Sequence, residues 1–175
     1  MSSLREQITQ TRPPSGNEMS LSKFQLRGAV DLKSKKLGRG KAKERVVEDL
    51  VAGILLNHGR FLVEKRRQDK EVDPGYVELP GGHVENGETL EGALKREMRE
   101  ELGIEVVRAK FVQNGITTAT NGERGRIHYF HIEKWSGRIV SNEAERVYWE
   151  SYISNLSLVP DRKAMLSLLK RDGIV

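Results

Sequence analysis

The chain has 175 residues, 31% charged and 37% hydrophobic, with no cysteine and a net charge of +5. That length suits one domain with an extension, and the missing cysteines exclude a disulfide framework. No apolar run approaches the roughly 20 residues of a membrane span, and the N-terminus lacks an apolar signal core, so a cytoplasmic protein is expected.

The excess positive charge lies at one end. Residues 1–50 carry eleven Lys/Arg against six Asp/Glu, whereas residues 51–175 carry nineteen of each. Residues 1–45 read as a basic, partly disordered N-terminal extension, and residues 46–175 as the folded domain. Pro13, Pro14, Ser15, Gly16 and Asn17 mark residues 1–18 as a disordered tail. Residues 23–32 partly alternate, as an added strand or short helix would. Residues 33–45 form a dense basic run around Gly38 and Gly40. Such a run touches nucleic acid or substrate phosphates, or is a solvated linker; the linker is the preferred reading.

Residues 46–56 are rich in Val, Ile and Leu, like a buried strand. Asn57-His58-Gly59 reads as a hairpin turn and residues 60–65 as its return strand. Residues 67–75 form a polar loop, and residues 76–79 a short strand entering Pro80-Gly81-Gly82. In isolation that tripeptide reads as a tight turn. Leu90, Leu94, Met98 and Leu102 then recur every four residues with Ala93 beside them, which predicts a docked helix over 90–102. Thr89 is its N-cap and Gly103 its stop. Residues 104–118 and 126–135 read as extended partners around a polar turn at 121–125. Residues 147–150 form a brief strand, and residues 160–171 a closing helix. The result is an α/β fold, a mixed sheet between helices. His128 and His131, three apart on a strand, point to opposite faces and cannot chelate together. His83 is placed to approach phosphate, and no histidine is assigned a role.

Glu97, Glu100 and Glu101 share one helix face at i, i+3 and i+4. Three such carboxylates repel one another unless a cation sits among them. Hard oxygen ligands suit Mg²⁺ or Mn²⁺, ions that neutralise phosphate oxygens and activate water. The plainer alternative is a solvated face whose charges Arg96 and Arg99 pair.

The wider context favours the first reading. Residues 82–104 read GHVENGETLEGALKREMREELGI. Gly82, Glu88, Arg96, Glu97, Met98, Glu100, Glu101, Gly103 and Ile104 fill every fixed position of a pattern that resembles the Nudix hydrolase motif. At average residue frequencies such a match is on the order of a one-in-a-billion accident at a given start. The resemblance implies an α/β/α sandwich with a mixed β-sheet and a magnesium-dependent enzyme that cuts diphosphate linkages. It gives metal-binding roles to Glu97, Glu100, Glu101 and the Gly81 carbonyl. It makes Glu88 and Arg96 a bracing ion pair, with Gly82 and Gly103 as structural glycines of the motif.

Beyond the motif, residues 46–171 resemble the MutT-like branch of that family. Glu143, ten residues after Glu133 and six before Trp149, resembles the branch's additional metal-binding or base carboxylate. Glu145 is second choice, and a solvated loop residue is the alternative. Arg67 resembles a substrate-contacting arginine, with Arg66 as its rival and a plain surface arginine as the alternative. Asp161 lies where the branch reads the base; capping the last helix after Pro160 is the slightly preferred role.

The expected reaction is hydrolysis of a nucleoside triphosphate or related nucleotide at a diphosphate bridge, an oxidised substrate such as 8-oxo-dGTP included. Glu100 or Glu143 would be the general base. ADP-ribose or a nucleoside-diphosphate sugar is the alternative substrate. The branch markers for ADP-ribose or dinucleoside polyphosphates, a Pro or a Tyr some fifteen to eighteen residues past the motif, are replaced by Ala119, Thr120, Asn121 and Gly122. A different class, a non-catalytic nucleotide- or RNA-binding Nudix module, is motivated by the basic run. The intact glutamates oppose it. No sequence feature fixes an oligomeric state.

Overall fold

The computed structural model describes residues 47–174. The expectations for residues 1–18, 23–32 and 33–45 lie outside the described residues. In chain order the elements are β1 (Glu48–Ile54), β2 (Leu56–Asn57), β3 (Arg60–Lys65), β4 (Val77–Glu78), β5 (Gly81–His83), α1 (Leu90–Leu102), β6 (Glu105–Thr118), β7 (Arg124–Ser136), β8 (Arg146–Glu150) and α2 (Val159–Arg171).

One sheet has the order β5-β1-β7-β6. It is mixed: β1 and β7 run parallel, and the other pairs are antiparallel. In the second sheet β3 pairs β2 and β4 along one edge and β8 along the other, all antiparallel. The apolar run expected as one strand over 46–56 is divided. It breaks at Leu55, where the chain leaves the first sheet for the second. An unbroken apolar run has no periodicity to mark such a crossing. The hairpin turn that follows has His58 at φ 47° and Gly59 at φ 75°, the primed geometry that suits strand twist.

Strand alternation divides the core between the helices. Ala52, Ile54, Ile127 and Tyr129 face α2, packing with Ala164, Met165, Leu168 and Leu169. Val51, Phe130 and Ile132 face α1, against Ala93, Leu94, Met98 and Leu102. Each fully buried Leu, Ile or Met contributes about 1.5–3 kcal/mol. Helix α1 spans the predicted residues. Thr89 accepts from the Gly92 amide at 3.0 Å, and Gly103 ends the helix in a left-handed conformation at φ 67°.

Strand β5 replaces the tight turn that Pro80-Gly81-Gly82 suggests. It lies on the edge of the mixed sheet, with Gly81 opposite Ala52 and Gly82 opposite Val51. Gly53 donates to the Pro80 carbonyl and Val84 to the Asp49 carbonyl. Hydrogen-bonded pairs alternate along an antiparallel ladder, so Gly81 and His83 turn their amide and carbonyl groups off the edge, towards α1. A side chain at 81 has no room: a Cβ there would lie 2.0 Å from the Val51 carbonyl oxygen and 2.8 Å from the Ala52 Cα. Gly81→Ala is therefore expected to destabilise the fold by about 2–3 kcal/mol, read as a lower urea midpoint with an unchanged slope.

Candidate active site

Helix α1 covers the open edge of β5 with charged side chains. Glu101 Oε2 accepts the Gly81 amide at 2.8 Å. Arg96 Nη2 donates to the His83 carbonyl at 2.7 Å. The same guanidinium grips Glu88 through Nε and Nη2, at 3.2 and 3.0 Å, tying the loop before α1 to the helix. Its Nη1 bonds Glu97 at 2.8 Å and Glu100 at 3.2 Å. Glu97 rests on the backbone at Gly82, where an added Cβ would come within 2.5 Å of its Oε1. The motif residues are thus brought together in one network: Gly81, Gly82, Glu88, Arg96, Glu97, Glu100 and Glu101.

Two further glutamates belong to this neighbourhood. Burial is the main cause that raises the carboxyls of Glu64, Glu97 and Glu101, and Glu143, in the exposed β7–β8 loop, adds to it. That loop is tied to the end of α1: Asn142 donates its side-chain amide to the Glu100 carbonyl at 2.8 Å and its backbone amide to that of Glu101 at 3.1 Å. Glu145 instead pairs with Lys65 at 2.8 Å. Glu64, on β3, is 4% exposed, and its Oε2 has no hydrogen-bond partner. The sequence motif does not include Glu64. A local signal exists all the same: Phe61, Leu62 and Val63 are apolar, so a Glu next in a strand buried on both faces must be buried as well.

A cleft of roughly 280 Å³ lies on the other side of Gly81 and Gly82. Leu50, Ala52, Leu79, Ile127 and Leu158 form its apolar wall, and Arg66, Glu78 and Asp161 its polar one. The α1 glutamates stand outside it, so Gly81, Gly82 and His83 separate cleft from cluster. Arg66, the rival, lines the cleft and bonds Glu78 at 3.0 Å and the Val72 carbonyl at 3.1 Å. Arg67 does not line it; it is half-exposed and held by Asp69 at 2.8 and 2.9 Å. The preferred capping role of Asp161 is corrected. Leu158 is the N-cap of α2, and Asp161 lies in the first turn, 2% exposed. It accepts from the Tyr129 hydroxyl at 2.6 Å and the Leu79 amide at 3.1 Å, joining α2, β7 and the segment before Pro80. The region 119–122 closes the rim. Thr120 accepts the Asp73 amide through its hydroxyl, and Asp73 accepts the Thr120 amide, both at 2.9 Å.

This arrangement agrees with what the chain matches. A NUDIX domain profile covers residues 47–169. The chain belongs to the NUDIX family. That places it among the hydrolases acting on phosphoric anhydrides. It is 32% identical over 101 residues to an 8-oxo-dGTP diphosphatase of Buchnera aphidicola subsp. Schizaphis graminum, an alignment covering 58% of this chain and 75% of that protein. It is 50% identical over 54 residues to the nucleoside triphosphatase NudI of Enterobacter sp. strain 638, covering 31% of this chain but only 38% of NudI. A MutT NUDIX hydrolase from Burkholderia pseudomallei superimposes with a TM-score of 0.59 at 26% identity, covering 71% of this chain and 97% of that one.

Nudix hydrolases generally use divalent metal ions. Among the described residues, no three His, Asp or Glu side chains converge as they stand into a ligand cage. Arg96 engages Glu97 and Glu100, and the Gly81 amide engages Glu101, so the three point at protein donors. The donor set nonetheless fits a hard cation: it is all oxygen and short of positive charge. Burial, then the negative charges of Glu64 and Glu97, pushes the Glu101 carboxyl well above its usual range. Burial also raises Glu97, against the pull of Arg96. Glu64 is pushed up to about 8 by burial and then by Glu78, and Glu78 to about 7 by burial.

These shifts set a pH dependence. Above its unfolded value of 4.5, each buried glutamate keeps a proton in the native state that the unfolded chain has released. Stability of this Nudix hydrolase without metal therefore falls as pH rises from about 4.5 towards 8. His131, whose imidazole burial pushes down, opposes the trend below about 6.5. Between about pH 6.5 and 8 the fall is expected to be clear in urea midpoints and to lessen when Mg²⁺ is added. A flat or rising midpoint would contradict this charge balance.

Proposed function

We propose that this chain hydrolyses a nucleoside triphosphate to the monophosphate and pyrophosphate, using Mg²⁺ or Mn²⁺. The observation that carries the reading is the position of Gly81, which lines the cleft and is pinned through its amide to Glu101. A nucleoside in the cleft would extend its phosphates over Gly81, Gly82 and His83 to the glutamates. Glu97, Glu100, Glu101 and the Gly81 carbonyl would hold the ion, with Glu143 as an additional carboxylate. When bound there, such an ion neutralises phosphate oxygens and lowers the pKa of a water.

The protein's own groups do the rest. Glu100 is half-exposed and bonded to Arg96 through Oε2, which leaves its other oxygen able to take a proton; Glu143 is the other choice. Arg96 and Glu88 keep the α1 carboxylates in place. Arg66, which lines the cleft, rather than Arg67, would meet substrate. Asp161 has both oxygens engaged by Tyr129 and Leu79 at the cleft wall, where its spare lone pairs could accept from a base edge. The Buchnera relative's name favours an oxidised purine triphosphate such as 8-oxo-dGTP as substrate. A cytoplasmic setting, with the basic residues before 46 as a linker, completes the proposal.

Glu100→Gln and Glu101→Gln should each lower kcat at least about 100-fold with 8-oxo-dGTP or dGTP in Mg²⁺, followed by pyrophosphate release. Near-normal turnover by both would remove this mechanism. A panel including ADP-ribose, with product analysis, tests the substrate class. Rapid ADP-ribose cleavage beside no turnover of dGTP analogues would reverse it. RNA binding that depends on residues 1–45, with no hydrolysis of any nucleotide, would make the chain a binding module.

A further inference from the structure

Glu64 has no role in the mechanism above, yet it is buried beside the acidic cluster. Strand β3 sends Phe61 and Val63 to the core beneath α2 and Leu62 to the core beneath α1. Alternation therefore sends Glu64 to the α1 side, between Glu78 on β4 and Val147 on β8. The hydrogen bonds and ion pairs of the surrounding cations go to other groups. Arg66 bonds Glu78 and the Val72 carbonyl, Lys65 pairs Glu145, and Arg96 holds Glu88, Glu97 and Glu100. Glu64 Oε2 is left without a hydrogen-bond partner in a residue 96% shielded from solvent, the complement of its 4% exposure. A buried polar oxygen left so destabilises the fold, and more so if charged. An apolar residue would suit the strand without that penalty.

We propose that Glu64 is a further ligand of the divalent-cation site, supplying Oε2 from β3, beneath α1, to the ion held by Glu97 and Glu101. This rests on the metal-dependent reading of the site given above. A strand-borne carboxylate, fixed by pairing on both edges of β3, is a stiff support for ligands carried on the helix. It would also bring the second sheet into the site, coupling metal binding to the packing of α1 on β3.

The test uses the full chain and Mn²⁺ alone, titrated by calorimetry and by electron paramagnetic resonance of the free ion. Glu64→Gln keeps the shape and removes the charge. It is expected to weaken Mn²⁺ binding at least about tenfold, while the metal-free Tm stays level or rises. Glu64→Asp keeps the charge but withdraws the oxygens by one methylene, and it should weaken binding too. Wild-type affinity in Glu64→Gln would overturn the proposal while leaving the hydrolase reading intact. Wild-type affinity in Glu64→Asp would reduce Glu64 to a diffuse charge and overturn it equally. A lower metal-free Tm in Glu64→Gln would make the residue structural and would overturn the proposal as well. If the wild-type chain binds no Mn²⁺ at all, both this proposal and the metal-dependent reading fall.

Discussion

The hydrogen bond from the Gly81 amide to Glu101 is the contact on which the site depends. An edge strand leaves every second peptide facing outwards, and those groups need partners. Here α1 supplies them, Glu101 for the Gly81 amide and Arg96 for the His83 carbonyl. These two bonds fix the rotation of the helix about its axis. With Leu94, Met98 and Leu102 turned into the core, Glu97 must lie on Gly82 and Glu100 must face solvent. Gly82, where an added Cβ would meet Glu97, lets helix and strand come this close.

The network that orders the carboxylates does not neutralise them. Arg96 serves Glu88, Glu97 and Glu100 at once, and Arg66 is taken up by Glu78. Burial, and then neighbouring carboxylates, push the carboxyls of Glu64 and Glu101 up, and the pull of Arg66 on Glu64 does not offset it. Such a cluster works against folding and suits the binding of a cation, a common trade between stability and activity. The cleft on the far side of β5 is different in character, apolar along one wall and closed at its rim by Thr120 and Asp73. Under the proposed function the nucleoside would take the cleft and its phosphates would reach the cluster across Gly81, Gly82 and His83.

Local pattern is a reliable guide where one element dictates its own structure. The stripe at Leu90, Leu94, Met98 and Leu102, the cap at Thr89 and the stop at Gly103 require nothing beyond neighbouring residues, and α1 has those bounds. The strand break at Leu55 is not legible in this way, because it depends on which sheet each half joins. The role of Asp161 is hidden for the same reason. Its position one residue after Pro160 suggests a cap, whereas its partners, Tyr129 and Leu79, come from distant parts of the chain. Spacing prefers Arg67 to Arg66, yet beside the pairing of β3 with β4 it is Arg66 that lines the cleft, and Arg67 is left to Asp69.

The sequence by itself determined the family, the acidic helix and the oxygen chemistry of the site, since all three reside in residues a few positions apart. Tertiary structure decided which remote carboxylates join that helix. Spacing singles out Glu143 and the apolar run of β3 marks Glu64 as buried, but only sheet pairing and loop docking bring them, from β3 and from the β7–β8 loop, to that helix. Burial then made Glu64 different from the other glutamates, because the cost of a carboxylate depends on what surrounds it and not on its neighbours along the chain.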